Sequence, residues 1–163
     1  MNIWEQRTDW GLIRRNEDLI LEEISLLKPT SILEVGCGNG NWAPILSNYG
    51  NYLGTDISRN SINICRKNFP ELKFKVEAVE GLKETGWDLL FGYTVIQLVP
   101  PERMDRAIRG MKAAAKWGLL VEPTGFTSNR YCFCHDYENL FDVKRKIKLP
   151  DQNFSHIYII KLN

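Results

Sequence analysis

Apolar runs of strand length alternate with helix-like segments along most of this chain, and this alternation limits the possible folds more than any other feature. The strand-like runs are SILEV, NYLGTD, LKFKVEA, WDLLFGY and WGLLVEP. Parallel strands require crossover connections, which are right-handed and place helices on both faces of the sheet. The sequence therefore predicts an α/β fold built on a doubly wound, mostly parallel sheet.

Helix signals fill most intervals between these runs. NEDLILEEISLL predicts a first helix with Asn16 as its cap, and SRNSINICRKNF predicts a later helix capped by Ser58. A helix from about residue 41 to residue 49 is expected between them, whereas VEGLKETG is too short and glycine-broken for a full helix. PPERMDRAIRGMKAAAK begins with proline, as helices often do, and its predicted inward face carries Met104, Ala107, Ile108, Met111 and Ala115.

The C-terminal part departs from this alternation. HDYENLF predicts one short helix, and VKRKIKL and HIYIIKL alternate apolar and polar residues on either side of PDQNFS. These two runs predict a closing antiparallel hairpin, which is a common addition to a parallel sheet. The complete expectation is a sheet of about seven strands with helices on both faces.

Length and composition favour one domain with no membrane or nucleic acid partner. The chain has 163 residues and a formal net charge of +1, which suits a single domain over 1–163. We expect an N-terminal arm and helix acting as a lid (1–29), a cofactor-binding core (30–123), and a closing helix and hairpin (124–163). The first residues lack an apolar signal segment and the four cysteines are irregularly spaced, so a cytoplasmic location is expected.

The stretch SILEVGCGNGNW places three glycines directly after the first buried strand. Glycine loses the most conformational freedom on folding, so glycines at this place indicate that a ligand approaches the backbone closely. In open α/β sheets ligands bind beyond the carboxyl ends of the strands, where the next helix also offers free N–H groups. Gly36, Gly38 and Gly40 are therefore candidate ligand-binding residues.

Two carboxylates narrow the identity of that ligand. Asp56 ends the second strand about 20 residues after the first glycine, where it can accept hydrogen bonds from two ribose hydroxyls. Glu34 precedes the glycines, where an acid would repel a pyrophosphate but can hold an ammonium group. The G-x-G-x-G spacing also differs from the G-x-G-x-x-G of nicotinamide dinucleotide sites. A ribose and a charged amine together indicate S-adenosylmethionine, with a dinucleotide site or a purely structural turn as the alternatives.

Four segments resemble, in order, the motifs of the class I S-adenosylmethionine-dependent methyltransferases: ILEVGCGNG, the acid in LGTDIS, VEA, and WDLLFGYTVIQLVPPE. The resemblance covers residues 31 to about 123 and implies a Rossmann-like fold. It implies S-adenosylmethionine as cofactor and S-adenosylhomocysteine as product.

The same resemblance assigns expected roles to individual residues. Asp56 would hold the ribose, Ile57 would pack on the adenine, Glu77 would face the adenine N6, and the Ala78 backbone would assist it. Gly92 and Tyr93 would lie beneath the sulfonium. The methionine part would be lined, with Glu34 behind, by Gly36, Cys37, Gly38, Asn39 and Gly40.

Methyl transfer by in-line displacement needs alignment of donor and acceptor more than a covalent nucleophile. His135 is the first candidate for a general base, followed by Tyr93 and Tyr131, and an ordinary loop histidine is the alternative. GYTV follows the fourth strand, where nucleic acid amino-methylases carry a Pro-Pro-aromatic motif. With VKRKIK as the only basic run, these features favour a small-molecule acceptor over nucleic acid.

Two further segments bear on the acceptor side. CFCH has no second cluster that would complete four metal ligands, so no metal site is expected. In the N-terminal stretch, Arg15 could reach the carboxylate of the donor and Trp10 could cover the pocket, or the arm could simply anchor on the surface.

Three segments also resemble those of a narrower group, the small methylases associated with pseudaminic acid biosynthesis: the N-terminal stretch IWEQRTDWGLIRRN, VIQLVP and NRYCFCHDYENLF. Leu98 replaces a histidine that is common in that group. A nucleotide-sugar acceptor is what that group would imply. The alternatives to a small-molecule methyltransferase are a non-catalytic S-adenosylmethionine-binding partner or regulatory module, and a methyltransferase acting on protein or RNA.

Overall fold

The computed structural model describes residues 16–150 and 155–163. It consists of one mixed sheet with helices on both faces. Its strands are β1 (Ser31–Val35), β2 (Asn51–Asp56), β3 (Lys73–Val76), β4 (Trp87–Tyr93), β5 (Ala115–Pro123), β6 (Asp142–Lys148) and β7 (Ser155–Lys161). They lie in the order β3-β2-β1-β4-β5-β7-β6, and β7 runs antiparallel to both neighbours. The predicted doubly wound sheet with a closing antiparallel hairpin is confirmed.

Short helices connect these strands. They are α1 (Glu17–Leu27), α2 (Ala43–Leu46), α3 (Arg59–Asn68), α4 (Pro101–Ala114) and α5 (Tyr137–Leu140), with 3₁₀ turns at Ser47–Tyr49, Val79–Gly81 and Ile96–Leu98. The start of α3 is as predicted, because Ser58 Oγ accepts a hydrogen bond from Ser61 N at 3.2 Å. A 3₁₀ turn also replaces a full helix in VEGLKETG, as expected from its glycine and short length.

Each face of the sheet has its own apolar core. On one face Ile20 of α1 and Ile62 of α3 are fully buried against the strands. On the other face Met104 and Met111 of α4 and Tyr137 of α5 are buried. Burial of each such side chain contributes about 1.5–3 kcal/mol, so the helices are held mainly by packing. With both faces covered, ligands can approach mainly at the ends of the strands.

Two helix expectations were wrong in detail. The helix expected over 41–49 ends at Leu46 and continues as a 3₁₀ turn, after which Gly50 packs so closely that a Cβ would lie 2.2 Å from Thr30 O. Asn16 precedes α1, but its side chain makes no capping hydrogen bond. Its backbone is left-handed (φ 58°), whereas capping requires an extended backbone at that residue.

The inward face of α4 also differs slightly from the expectation. Met104, Ala107 and Met111 are buried as predicted, whereas Ile108 is only partly buried. Ala115 is buried as the first residue of β5, since α4 ends at Ala114.

The predicted N-terminal arm, including Trp10 and Arg15, lies outside the described residues. Most of the PDQNFS segment lies outside them as well. Within the described part of the chain, no helix is both long and apolar enough to cross a bilayer.

Candidate functional site

The carboxyl ends of four parallel strands meet at one edge of the sheet. Val35 of β1 pairs with Thr55 of β2 and with Gly92 of β4. Asp56 of β2 pairs in turn with Val76 of β3. The segments after these strands therefore lie side by side, and they carry most of the predicted site residues.

The three glycines after β1 form a loop with left-handed backbone at each glycine. Their φ angles are 66° at Gly36, 53° at Gly38 and 83° at Gly40. A Cβ on Gly36 would lie 2.3 Å from Val95 Cγ2, and a Cβ on Gly40 would lie 3.0 Å from the Phe69 ring. A Cβ on Gly38 would meet no described atom within 4 Å. Gly36 and Gly40 are therefore required by neighbouring side chains, whereas Gly38 leaves open space for a ligand.

Asp56 is held firmly against this loop. Its Oδ2 accepts a hydrogen bond from Gly38 N at 2.9 Å, and its Oδ1 accepts one from Ser58 N at 2.8 Å. These two bonds fix the orientation of the carboxylate. Asp56 therefore presents an oriented acidic group directly beside the glycine loop.

Glu34 lies behind the loop and is only 2 % exposed. Tyr52 Oη donates a hydrogen bond to its Oε2. Gly54 permits this contact, because a Cβ at that position would lie 2.6 Å from Tyr52 Oη. Burial raises the pKa of Glu34 to about 8, and the Tyr52 hydrogen bond opposes that shift only in part. Glu34 is therefore mostly uncharged at neutral pH until a cation approaches it.

Two buried thiols support the loop from beneath. The sulfur of Cys65, on α3, lies 3.2 Å from Gly38 O, and that of Cys37 lies 3.8 Å from the same oxygen. Cys37 N also donates to Thr55 O at 2.9 Å. Cys37 therefore directs its side chain into the core, so that only its backbone, together with half-buried Asn39, can line the ligand space.

Glu77 follows β3, and one of its carboxylate oxygens has no hydrogen-bond partner in the described part of the chain. Its Oε1 lies 3.1 Å from Lys75 Nζ, and its side chain is only 7 % exposed. Among the described residues, nothing donates a hydrogen bond to its buried Oε2. Buried polar atoms are normally satisfied, so this oxygen indicates a place for a ligand N–H or a water. Glu77 N donates to Asp56 O at 2.9 Å, which brings the segment after β2 alongside. There Ile57 leaves 43 % of its surface exposed, and Ala78, which follows Glu77, is partly buried.

Tyr93 and Gly92 end β4 in different environments. The Tyr93 ring packs against Trp42, with centroids 5.5 Å apart, and is partly exposed at the strand edge. A Cβ on Gly92 would lie 3.0 Å from both Val95 and Leu120 side chains. The glycine at 92 is therefore required by core packing on the opposite side of the strand.

His135 connects two loops. One ring nitrogen, Nε2, lies 2.9 Å from Val99 O and must carry a proton to bond with that carbonyl. Burial lowers the pKa of His135 below its usual value, so the ring is neutral at neutral pH. Phe133 N donates to Gln97 O at 2.7 Å beside it. His135 thus anchors the loop after β5, whereas Tyr131 is exposed.

The CFCH run forms loop turns. Cys132 N donates to Asn129 Oδ1 and Cys134 N donates to Ser128 Oγ, both at 2.9 Å. Within residues 16–150 and 155–163, no group of three or more His, Cys, Asp or Glu side chains could hold a metal ion.

Glu122, near the end of β5, is a buried acid beside the candidate site that the sequence patterns do not single out. It is fully buried, and its carboxylate accepts hydrogen bonds from three consecutive backbone N–H groups at 95–97. Burial raises the pKa of Glu122 to about 7, although these hydrogen bonds act in the opposite direction. The available signal was an acid inside the otherwise apolar run WGLLVEP.

A cavity of about 330 Å³ lies at the opposite edge of the sheet, beside Thr30, Asp88 and Trp117. Asp88 there already accepts hydrogen bonds from Thr30 N and Thr30 Oγ1 and pairs with Lys116 at 2.7 Å. These contacts account for the polar groups of Asp88 without a ligand. The glycine-loop edge, with open space at Gly38 and the unpartnered Glu77 oxygen, is therefore the better candidate site.

Several solved structures with a similar fold are described as methyltransferases. The chain matches the methyltransferase domain of bacterial CtHen1 with a TM-score of 0.75 at 11 % identity, over 93 % of this chain and 100 % of that one. It matches a TehB-like SAM-dependent methyltransferase from Corynebacterium glutamicum with a TM-score of 0.72 at 17 % identity, over 91 % and 88 % of the two chains.

A third similar structure contains the donor. Magnesium protoporphyrin IX methyltransferase from Synechocystis PCC 6803, solved with bound SAM, matches with a TM-score of 0.69 at 16 % identity, over 89 % of this chain and 77 % of that one. No curated protein sequence matches this chain significantly.

Family membership follows from the sequence match together with this fold. The family model of the methyltransferase domain matches residues 32–118, which is more than half of the chain. That range contains the glycine loop, Asp56, Glu77 and the end of β4. The chain belongs to the methyltransferase domain family and is a class I S-adenosylmethionine-dependent methyltransferase.

Proposed function

We propose that this enzyme transfers a methyl group from S-adenosylmethionine to a small-molecule acceptor by in-line displacement. The proposal is carried by the open space at Gly38, whose N–H donates to the Asp56 carboxylate, together with the buried Oε2 of Glu77, which has no hydrogen-bond partner among the described residues. S-adenosylmethionine supplies an activated methyl group at a sulfonium. The protein's part is to bind, orient and exclude water, which requires an ordered cradle more than a reactive side chain.

The contacts at this edge fit the parts of that donor. The Asp56 carboxylate, oriented beside the glycine loop, would accept from the ribose hydroxyls, and the buried Glu77 Oε2 would accept from the adenine amino group. Exposed Ile57 and the Ala78 backbone would cover the adenine. The remaining proposed contacts are to the methionine part and sulfonium, from Gly36, Cys37, Gly38, Asn39, Gly40, Gly92, Tyr93 and, beyond the described residues, Arg15.

Glu34 is proposed to balance the donor ammonium from behind the loop. Because its pKa is about 8 in the free protein, it is mostly protonated at pH 7, and a nearby cation would lower that pKa. We therefore expect binding of S-adenosylhomocysteine at pH 7 to release about one proton. Calorimetry in buffers of different ionisation enthalpy measures this release.

The matched control for that experiment is Glu34→Gln, which retains the acceptor for Tyr52 but cannot ionise. It should bind with much less proton release than the wild type. Equal release from both proteins would show that Glu34 does not face the ammonium.

Charge pairing on β6 favours a small acceptor over a nucleic acid. Three of the four basic side chains on this edge strand have acidic partners: Lys144 pairs with Asp142 at 2.8 Å, Arg145 with Glu23 at 3.0 Å and Lys146 with Glu138 at 2.5 Å. Cations already paired within the chain contribute less to binding phosphates than unpaired ones would.

His135 and Tyr93 are the proposed side chains on the acceptor side. Because His135 Nε2 is engaged with Val99 O, Nδ1 is the ring atom that would accept a proton from a hydroxyl or ammonium acceptor. Tyr93 lies at the end of β4 and would contact the methyl group or the acceptor. We also retain the division into a lid (1–29), a core (30–123) and a closing segment (124–163) as part of this proposal.

Incubation with methyl-labelled S-adenosylmethionine and fractions of a cell extract tests the acceptor. We expect label in the small-molecule fraction, and loss of that label in the Asp56→Asn variant. Label confined to RNA or protein would overturn the small-molecule proposal. Tight S-adenosylhomocysteine binding without transfer to any fraction would instead favour the non-catalytic binding module.

A further inference from the structure

Glu122 occupies a position where an apolar side chain would pack at lower cost. It is fully buried near the end of β5, and an ionised carboxylate there loses its hydration. Its Oε1 accepts from Val95 N at 2.9 Å and from Ile96 N at 2.8 Å, while its Oε2 accepts from Gln97 N at 3.3 Å. Tyr137 Oη donates to the same Oε2 at 3.4 Å. The side chain therefore fixes one short turn after β4.

That turn supports the glycine loop directly. The Val95 side chain fills the space beneath Gly36, where an added Cβ would lie 2.3 Å from Val95 Cγ2 and 2.7 Å from its Cβ. Val95 also lies against Gly92, with 3.0 Å between its Cγ1 and an added Cβ. Thr94, which precedes it, has a left-handed backbone with φ 53°, a conformation that costs energy for a β-branched residue. Hydrogen bonds from the following residues to Glu122 offset that cost.

The same turn also holds the loop after β5. Gln97 O accepts from Phe133 N at 2.7 Å, and Val99 O lies 2.9 Å from His135 Nε2. The Val95 side chain therefore contacts the glycine loop, while the carbonyls of Gln97 and Val99 hold the segment proposed to face the acceptor. Glu122 is the buried side chain that holds the turn between these two sets of contacts.

We propose that Glu122 is a positioning residue for methyl transfer, acting through the 95–97 turn on the glycine loop and on residues 124–136. It does not touch the ligands itself. The inference rests on the proposed donor site at the glycine loop, and it adds a link between the donor side and the acceptor side.

The variant Glu122→Gln tests this role with little change in volume. An amide can accept from Val95 N and Ile96 N through its oxygen, but its NH₂ group then faces Gln97 N–H, which loses its acceptor. We expect S-adenosylhomocysteine binding to weaken about tenfold by calorimetry. The control is Asp88→Asn, since Asp88 also accepts from a backbone N–H but lies at the opposite edge of the sheet. Its affinity should equal that of the wild type.

A double-mutant cycle separates positioning from a general loss of stability. If Glu122 acts through Val95, then Val95→Ala alone should also weaken binding, and the combined Glu122→Gln and Val95→Ala variant should bind no more weakly than the weaker single variant. Independent, multiplying effects, or wild-type affinity in folded Glu122→Gln, would overturn the proposal.

Amide hydrogen exchange gives a readout that needs no ligand. In Glu122→Gln we expect faster exchange at 95–97 and at Gly36 and Gly38, whereas Asp88→Asn should leave these amides unchanged. Unchanged exchange at the glycine loop would contradict the inference even in a protein that binds the donor. Failure of the wild type to bind S-adenosylhomocysteine would contradict the proposed function and leave the exchange result to decide the role of Glu122.

Discussion

Replacement of Asp56 by asparagine is expected to weaken S-adenosylhomocysteine binding about 100-fold, the loss from two charge-assisted hydrogen bonds. The carboxylate accepts from Gly38 N and Ser58 N, and it is proposed to accept from the ribose hydroxyls as well. An amide is uncharged and has one acceptor atom, so the proposed hydrogen bonds from both ribose hydroxyls are weakened or lost. Isothermal titration of the variant against the wild type measures the effect.

Asp88→Asn is again the matched control for this measurement. It makes the same chemical change in a carboxylate bonded to a backbone N–H, but beside the cavity at the other edge of the sheet. Its expected loss lies in stability, because Asp88 pairs with Lys116 at 2.7 Å and accepts a hydrogen bond from Thr30 N. An Asp56→Asn variant that binds within about threefold of the wild type would contradict the proposed ribose contact.

Rising pH between 5 and 8 is expected to lower the free energy of unfolding. Folding raises the pKa of Glu34 to about 8 and that of Glu122 to about 7, both from a reference of 4.5. A raised carboxyl pKa means that the folded state binds more protons, so the stability contribution is complete below the unfolded pKa and is lost as the pH rises through the folded pKa. The expected loss is about 2 kcal/mol per group between pH 5 and pH 7.

Urea unfolding at several pH values measures this dependence, and amide variants assign it. Glu34→Gln should remove the part of the slope due to Glu34, and Glu122→Gln should remove the other part. His135 acts in the opposite direction, because its lowered pKa makes the folded state bind fewer protons near neutral pH. A Glu34→Gln variant that retains the full wild-type slope would exclude Glu34 as a source of the dependence.

Local patterns sufficed for most of the fold. Alternating apolar runs predicted the strands, and Ser58 predicted the start of α3, because hydrophobic period and capping act over a few residues. The difference at the end of α2 lies where a residue distant in the chain packs against the backbone. Gly50, which follows the 3₁₀ turn after α2, lies against the backbone of Thr30, the residue that precedes β1.

The candidate site divides in the same way. Gly36, Gly38, Gly40 and Asp56 could be recognised from spacing, because the chain order of strand, glycines and acid is itself the signature of such a loop. Glu122 could not, since an acid in an apolar strand has no defined partner until the fold brings it to the 95–97 turn.

By itself, the sequence determined the parallel sheet, the edge of the sheet proposed to bind a ligand, and the methyl donor, since each depends on residue type and order along the chain. Only the tertiary structure decided that Gly36 is required by Val95, that Glu34 is held by Tyr52, that Glu77 has an unpartnered oxygen, and that His135 is bonded to Val99. These properties depend on burial and on partners from other strands and loops. A side chain acquires its partners, its degree of exposure and its pKa only when distant parts of the chain pack around it.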